Sequence, residues 1–226
     1  MSFDFVTLNA VGYLTYTISL SMLYFSVVVR NEYAQRHKLS RNGELTYPLV
    51  RLNDVAYAYH GLVLVLYTAY QVFSPVYKRG KNQRVSELTK TALAFGVAAA
   101  LGLIIYTLEI QSRDSPKALQ MVDVANILGN VKVVMSFSKY IPQILWNHRR
   151  KSTRGFSIDG IRINIVGSLL SLGQLFLDGY IRNDLKGVWN NSVKLALAAV
   201  TLLFDGILVL QSMVYGSSDQ TSMYKD

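Results

Sequence analysis

A chain of 226 residues with 51% hydrophobic content, 16% charged content and a mean hydropathy of +0.24 fits either one large soluble domain or a compact membrane protein. It contains no cysteine, which excludes a disulfide framework and a thiolate metal site, and His37, His60 and His148 are too widely spaced to form a metal-ligand pattern. The formal charge of +9 would point to nucleic acid in a soluble protein. Here the basic residues fall between long apolar runs, where membrane topology accounts for them and no nucleic-acid partner is implied.

In chain order, Val6 to Val29 carries no charge, Val55 to Tyr77 carries only His60, Thr91 to Leu108 carries none, and Leu195 to Tyr215 is interrupted by Asp205 alone. Runs of about 20 apolar residues match the hydrocarbon core of a bilayer. A soluble helix of that length would keep one polar face, and these do not. The pattern predicts an all-α, polytopic membrane protein with helices near 6–29, 53–76, 91–110, 119–145, 160–180 and 192–215. Asn42-Gly43, Pro48, Ser74-Pro75, Gly80, Ser115-Pro116, Asn183-Asp184 and Gly187 supply the breaks. With Asp4 and no basic leader, the first span is expected to direct its own insertion.

Six spans place both termini and the 77–90 and 146–159 loops on one side. Lys78, Arg79, Lys81, Arg84 and Lys90, with Arg149, Arg150, Lys151 and Arg154, bias that side towards the cytosol. The first opposite loop, with Arg30, Arg36, Lys38, Arg41 and Arg51, dilutes the bias.

A charged side chain at the centre of a spanning helix costs about 2.5–3.5 kcal/mol on insertion scales, so each one is a functional candidate. Asp205 lies near the middle of the sixth span, where it can bind and release a proton or pair permanently with a buried lysine. Lys132 and Lys139 are seven residues apart and share a stripe with Ser136 and Gln143. By helical rise Lys132 lies roughly 20 Å below Leu119, which would let it meet Asp205 if the spans are in register. Lys139 can contact substrate or snorkel to the interface. Asp123 reads as an interfacial acid or a proton entry point. Pro142 removes a backbone hydrogen bond, which makes it a hinge or a helix end. Asp54 reads as a first-turn acid, and His60, among Tyr57, Tyr59, Tyr67 and Tyr70, as a packed or interfacial residue.

One stretch is written twice. Residues 2–12 return as residues 157–167, with Ser, Asp, Asn, Val and Gly identical at a constant offset of 155. Asn9, Gly12, Tyr13 and Tyr16 form one stripe, and Asn164, Gly167, Ser168 and Ser171 form its counterpart. Small residues allow close helix approach, and amides bind a neighbouring helix or an amino-acid-like solute. Repeats that open membrane helices are how many transporters enclose a central site, so the symmetric placement favours a shared cavity.

Ser138-Lys139-Tyr140-Ile141-Pro142-Gln143, then Asn147, then Lys151-Ser152-Thr153-Arg154-Gly155-Phe156-Ser157 resembles the second PQ-loop motif of the cystinosin family. The opening Ser2 to Asn9 resembles the segment after that family's first PQ motif, and Asn53-Asp54-Val55 and Phe204-Asp205 match as well. The resemblance covers most of the chain. It implies a lysosomal, vacuolar or endosomal membrane protein that exports L-cystine or a related amino acid together with protons by alternating access, and that uses no cofactor. It implies two three-helix bundles joined by a linking helix, a 3+1+3 plan. Residues 1–110 would form an incomplete first bundle plus the linking helix, 119–215 the second bundle, and 216–226 a short cytosolic tail. Asn9, Lys132, Lys139, Asn147, Asn164 and Asp205 would line the substrate and proton pathway, with Pro142 and Gln143 at the hinge.

Two departures stand out. The family's first helix and first PQ motif have no counterpart, as if the chain began inside the motif, and a start placed too far downstream is the simplest account. Asn164 stands where the family carries an acid important for proton coupling, so coupling would rest on Asp205 or Asp123. No nucleophile–base pair, metal cluster or phosphate loop is present, so the chain does not read as an enzyme. A membrane sorting receptor or scaffold, and an inactive truncated form, are the alternative readings.

Overall fold

A computed structural model describes residues 3–37, 46–74, 85–111, 120–153 and 157–220; a few helical positions within these, Pro142 among them, are described by their backbone alone. Every regular element among the described residues is helical: α1 (Phe3–Phe25), α2 (Val27–Arg36), α3 (Leu52–Phe73), α4 (Glu87–Gln111), α5 (Met121–Arg150), α6 (Ile158–Ile181), α7 (Leu185–Asn190) and α8 (Ser192–Gln220). The long six, α1, α3, α4, α5, α6 and α8, correspond to the six expected spans. Each has at least 22 residues, or about 33 Å of helix. By length and composition, α1, α6 and the Ser192–Tyr215 part of α8 are apolar enough to cross a membrane. α5 falls short of that standard because Asp123, Lys132 and Lys139 lie along it.

The boundaries differ from the sequence expectation where caps intervene. The first span stops at Phe25 rather than running to 29, because the Ser26 side chain accepts from Val29 N and starts α2 in a new direction. α4 begins at Glu87, earlier than 91, since the Ser86 hydroxyl accepts from Thr89 N at 3.2 Å. α5 runs through Pro142 and ends at Arg150, where Lys151 turns left-handed with φ 50°. Pro142 therefore does not end the helix. α7 was not expected; Asp184 caps it by accepting from Gly187 N at 2.8 Å. The expected breaks at Asn42-Gly43, Pro75, Gly80 and Ser115-Pro116 lie outside the described residues.

The repeat seen in the sequence is a repeat of structure. α1–α2–α3 and α6–α7–α8 each run long helix, short helix, long helix, and in each the two long helices pack together. α5 is the central element, packed most extensively on α1 and also on α8, so it ties the halves together. Inside a bilayer apolar burial drives helix association weakly, and polar contacts carry much of the specificity. Ser19 Oγ donates to the Ala125 carbonyl at 2.6 Å, joining α1 to α5, and Thr17 Oγ1 donates to the Ala58 carbonyl at 3.2 Å, joining α1 to α3. Apolar clusters fill the spaces between: Tyr16, Leu20, Val55 and Ala58 in the first half, and Tyr140, Ile161, Phe204 and Leu208 in the second.

Candidate site: a polar cavity between the two halves

α1, α3, α5, α6 and α8 surround a cavity of about 470 Å³. Both sequence stripes reach it. Tyr13 and Tyr16 line it from α1; Asn164, Gly167, Ser168 and Ser171 line it from α6. Lys132, Ser136 and Lys139 form its α5 wall, as their heptad spacing requires.

The lysines have different partners. The Lys132 ammonium lies 3.4 Å from the centroid of the Tyr13 ring. That position depends on two glycines. A Cβ on Gly61 would meet Tyr13 Cε1 at 2.2 Å, and one on Gly12 would meet Lys132 Cδ at 3.1 Å. Gly61 thus lets the ring lie against α3, and Gly12 lets the lysine stem cross α1. The ring face supplies the negative quadrupole that a cation needs. Lys139 instead donates to Asn9 Oδ1 at 3.1 Å and lies 5.1 Å from the centroid of the Tyr140 ring.

Asp205 is 2% exposed, and its Oδ2 accepts from Asn164 Nδ2 at 2.5 Å. The pairing of Lys132 with Asp205 that helical rise suggested does not form. Lys132 is taken by Tyr13, and Lys139 is the lysine within electrostatic reach of the carboxylate. Tyr140 stacks on Phe204, centroids 5.3 Å apart at 8°, beside the acid.

Asn147 lies further along α5, outside the cavity wall. It is 2% exposed and accepts from Gln143 Nε2 at 2.9 Å, while its own Nδ2 is buried without a partner among the described residues. Gln143 and Asn147 thus form an intrahelical pair spanning the turn directly after Pro142. Asp123 sits at the start of α5, bound by both terminal nitrogens of Arg36 at 2.5 and 2.6 Å, an interfacial ion pair away from the cavity.

Sequence reasoning missed the residues at the opposite end of the cavity. Asp54 and Lys194, each third in its long helix, pair at 2.7 Å with both side chains about 90% buried. Asp54 also accepts from Arg51 N, as a first-turn acid. Asn53 and Gln174 exchange hydrogen bonds of 2.8 and 3.3 Å, and the Arg51 guanidinium binds both carboxylate oxygens of Asp178. The equivalent positions of Asp54 and Lys194 were the available signal.

Outside the membrane, burial, then Arg36, holds His37 below the ordinary histidine range, against the pull of Asp184. Its Nδ1 lies 3.0 Å from Asn190 Nδ2, and a neutral ring accepts there, joining α2 to the end of α7.

Residues 124–183, from α5 through α6, match the PQ loop repeat family. The chain is 32% identical to the cystinosin homolog of Dictyostelium discoideum, an alignment covering all of this chain and 74% of that protein. It is 31% identical to cystinosin of Drosophila melanogaster over all of this chain and 53% of that one, and 29% identical to the cystine transporter of Saccharomyces cerevisiae over 96% and 82%. The chain therefore spans from about half to about four fifths of the length of these relatives. Its helices, its repeat and its match along its whole length make the chain a multi-pass membrane protein of the cystinosin family.

Proposed function

We propose that the protein carries L-cystine from an acidic lysosomal or vacuolar lumen to the cytosol, together with protons, by alternating access. The observation that carries this reading is the cavity itself. Two lysines about 10 Å apart along the α5 wall share the cavity with Asn164 of α6, whose amide holds the buried Asp205 of α8 just behind the lining. Cystine is two amino-acid head groups joined through a disulfide. Its two carboxylates suit the ammonium groups of Lys132 and Lys139, and its ammonium groups suit Asp205 and the hydroxyl and amide groups of Asn164, Ser168 and Ser171. Among the groups lining or bordering the cavity centre, Asp205 is the carboxylate at bilayer depth, and it is the group assigned to carry the proton. Asn164 cannot titrate; it holds the carboxylate oxygen through a donated hydrogen bond. Pro142, which lacks a backbone N–H to donate within α5, is the point assigned as the hinge about which the last two turns of α5 reorient.

The test is radiolabelled cystine uptake by the full chain reconstituted in proteoliposomes under an imposed pH gradient. Uptake that accelerates when the entry side is acidified is the expected result. Absence of cystine flux under every gradient, with the protein correctly inserted, would sink the reading.

A further inference from the structure

α3 and α6 face each other across the cavity, yet among the described residues none of their Cα atoms come within 8 Å. What joins α3 and the residues just before it to α6 is side-chain contact, and it sits at one end. Arg51, the residue preceding α3, binds both oxygens of Asp178 near the end of α6. Asn53, two residues on, exchanges two hydrogen bonds with Gln174. Gln174 and Asp178 are four apart, hence on one face of α6. Asn53 and Gln174 also line the cavity, so these bridges form its rim.

The two bridges differ in strength. The Asp178 side chain is 4% exposed and the Arg51 side chain 45%. A buried carboxylate held in a guanidinium fork is costly to strand without its partner. The amide pair is neutral and exposed, and contributes less. Because the helix bodies do not pack, the contacts that hold these two ends together are the bridges, the buried Asp54–Lys194 pair that ties α3 to α8, and one small apolar cluster of Leu49, Leu175 and Val188.

We propose that Arg51–Asp178 and Asn53–Gln174 form a clasp that shuts the cavity on the face where α3 begins and α6 ends, and that releases when the cavity opens there. The purpose of the clasp rests on the transport reading; its existence does not. Parting α3 from α6 at this rim exposes Ser171, one turn below Gln174, to the adjoining aqueous phase.

The absence of native cysteine makes this directly measurable. The full chain carrying S171C is placed in sealed vesicles, and a membrane-impermeant maleimide is applied to the Arg51 face. Slow labelling is expected in this parent, and labelling roughly tenfold faster once R51Q and D178N are added, as for a tenfold rise in the open population. The exchanged pair R51D with D178R restores slow labelling. If the ion-pair variant does not insert, N53A with Q174A in the same parent gives a smaller acceleration while keeping the charges. Equal labelling rates in the parent and in every inserted variant, or failure of the exchanged pair to restore protection, would overturn the clasp. Cystine flux is read separately on the unsubstituted chain, which keeps Ser171. No flux in that chain together with clasp-dependent labelling of the S171C parent defeats the transport reading alone, and flux with clasp-independent labelling defeats the clasp alone.

Discussion

α1 and α6 descend from the same eleven-residue pattern, and the two halves of the molecule use it in opposite ways. Asn9 on α1 accepts a hydrogen bond from a cation, Lys139; Asn164 on α6 donates one to an anion, Asp205. The amide can do both because its two ends differ, so one inherited residue serves a lysine in one half and a carboxylate in the other. The surroundings diverge as well. α1 is packed between α3 and α5, whereas α6 contacts α8 and the short α7 and leaves Ile163, Val166 and Leu170 exposed. A duplicated helix thus keeps its position while its neighbours decide its chemistry.

The largest effect should come from altering the anionic half of this comparison. D205N removes the carboxylate, and pH-dependent cystine flux in proteoliposomes should fall to background; retained coupling would take Asp205 out of the proton path. N164D does the reverse by setting a second carboxylate beside the first. Two carboxylates at that distance share a proton, so the pH dependence of flux should steepen. An unchanged profile would mean that position 164 has no part in coupling.

The cationic half should respond through packing. G61A drives a methyl group into the Tyr13 ring, which must leave its place beside Lys132. Overpacking of this kind costs about 1–3 kcal/mol, read as a lower melting temperature of the purified protein with weaker cystine binding. G96A serves as the control, since a Cβ on Gly96 meets nothing within 4 Å.

The smallest effect concerns the short connecting helices. His37 titrates below the ordinary histidine value in the folded protein, so its neutral form is favoured there. The stability it contributes is complete above the unfolded value and is lost as pH falls from there through the lower folded value. H37Q should therefore reduce the loss of thermal stability between about pH 7.5 and pH 5.5, with little change at the upper end.

Much of this was legible in the chain. The six long helices follow from runs of bilayer length, and the α6 stripe of Asn164, Gly167, Ser168 and Ser171 lines the cavity as its helical spacing implies. What stayed hidden depended on register between helices distant in sequence. Helical rise pointed to Lys132 as the partner for Asp205 while Lys139 is the lysine in reach, because the axial offset of α5 against α8 is set by packing such as that of Val193 against Gly129. Arg51 and Asp178 are 127 residues apart, and Asp54 and Lys194 are 140 apart; no local period announces such pairs. The break at Ser26 was masked by apolar residues on both sides, leaving only one capping hydroxyl to mark it.

The attachment of α5 at its first turn carries a mechanical consequence. Arg36 grips Asp123 with two nitrogens and Gln120 with a third, Glu32 Oε2 accepts from Val122 N, and the Asp123 side chain closes on Gln120 N. A rod fastened that firmly at one end cannot slide along its axis or turn about it. In the transport cycle proposed above, what remains to it is a lever's freedom: with the pinned first turn as fulcrum, displacement grows with distance from the pin. Such a stroke would carry Gln143, Asn147 and the basic end at Arg149 and Arg150 furthest, and Lys132 least.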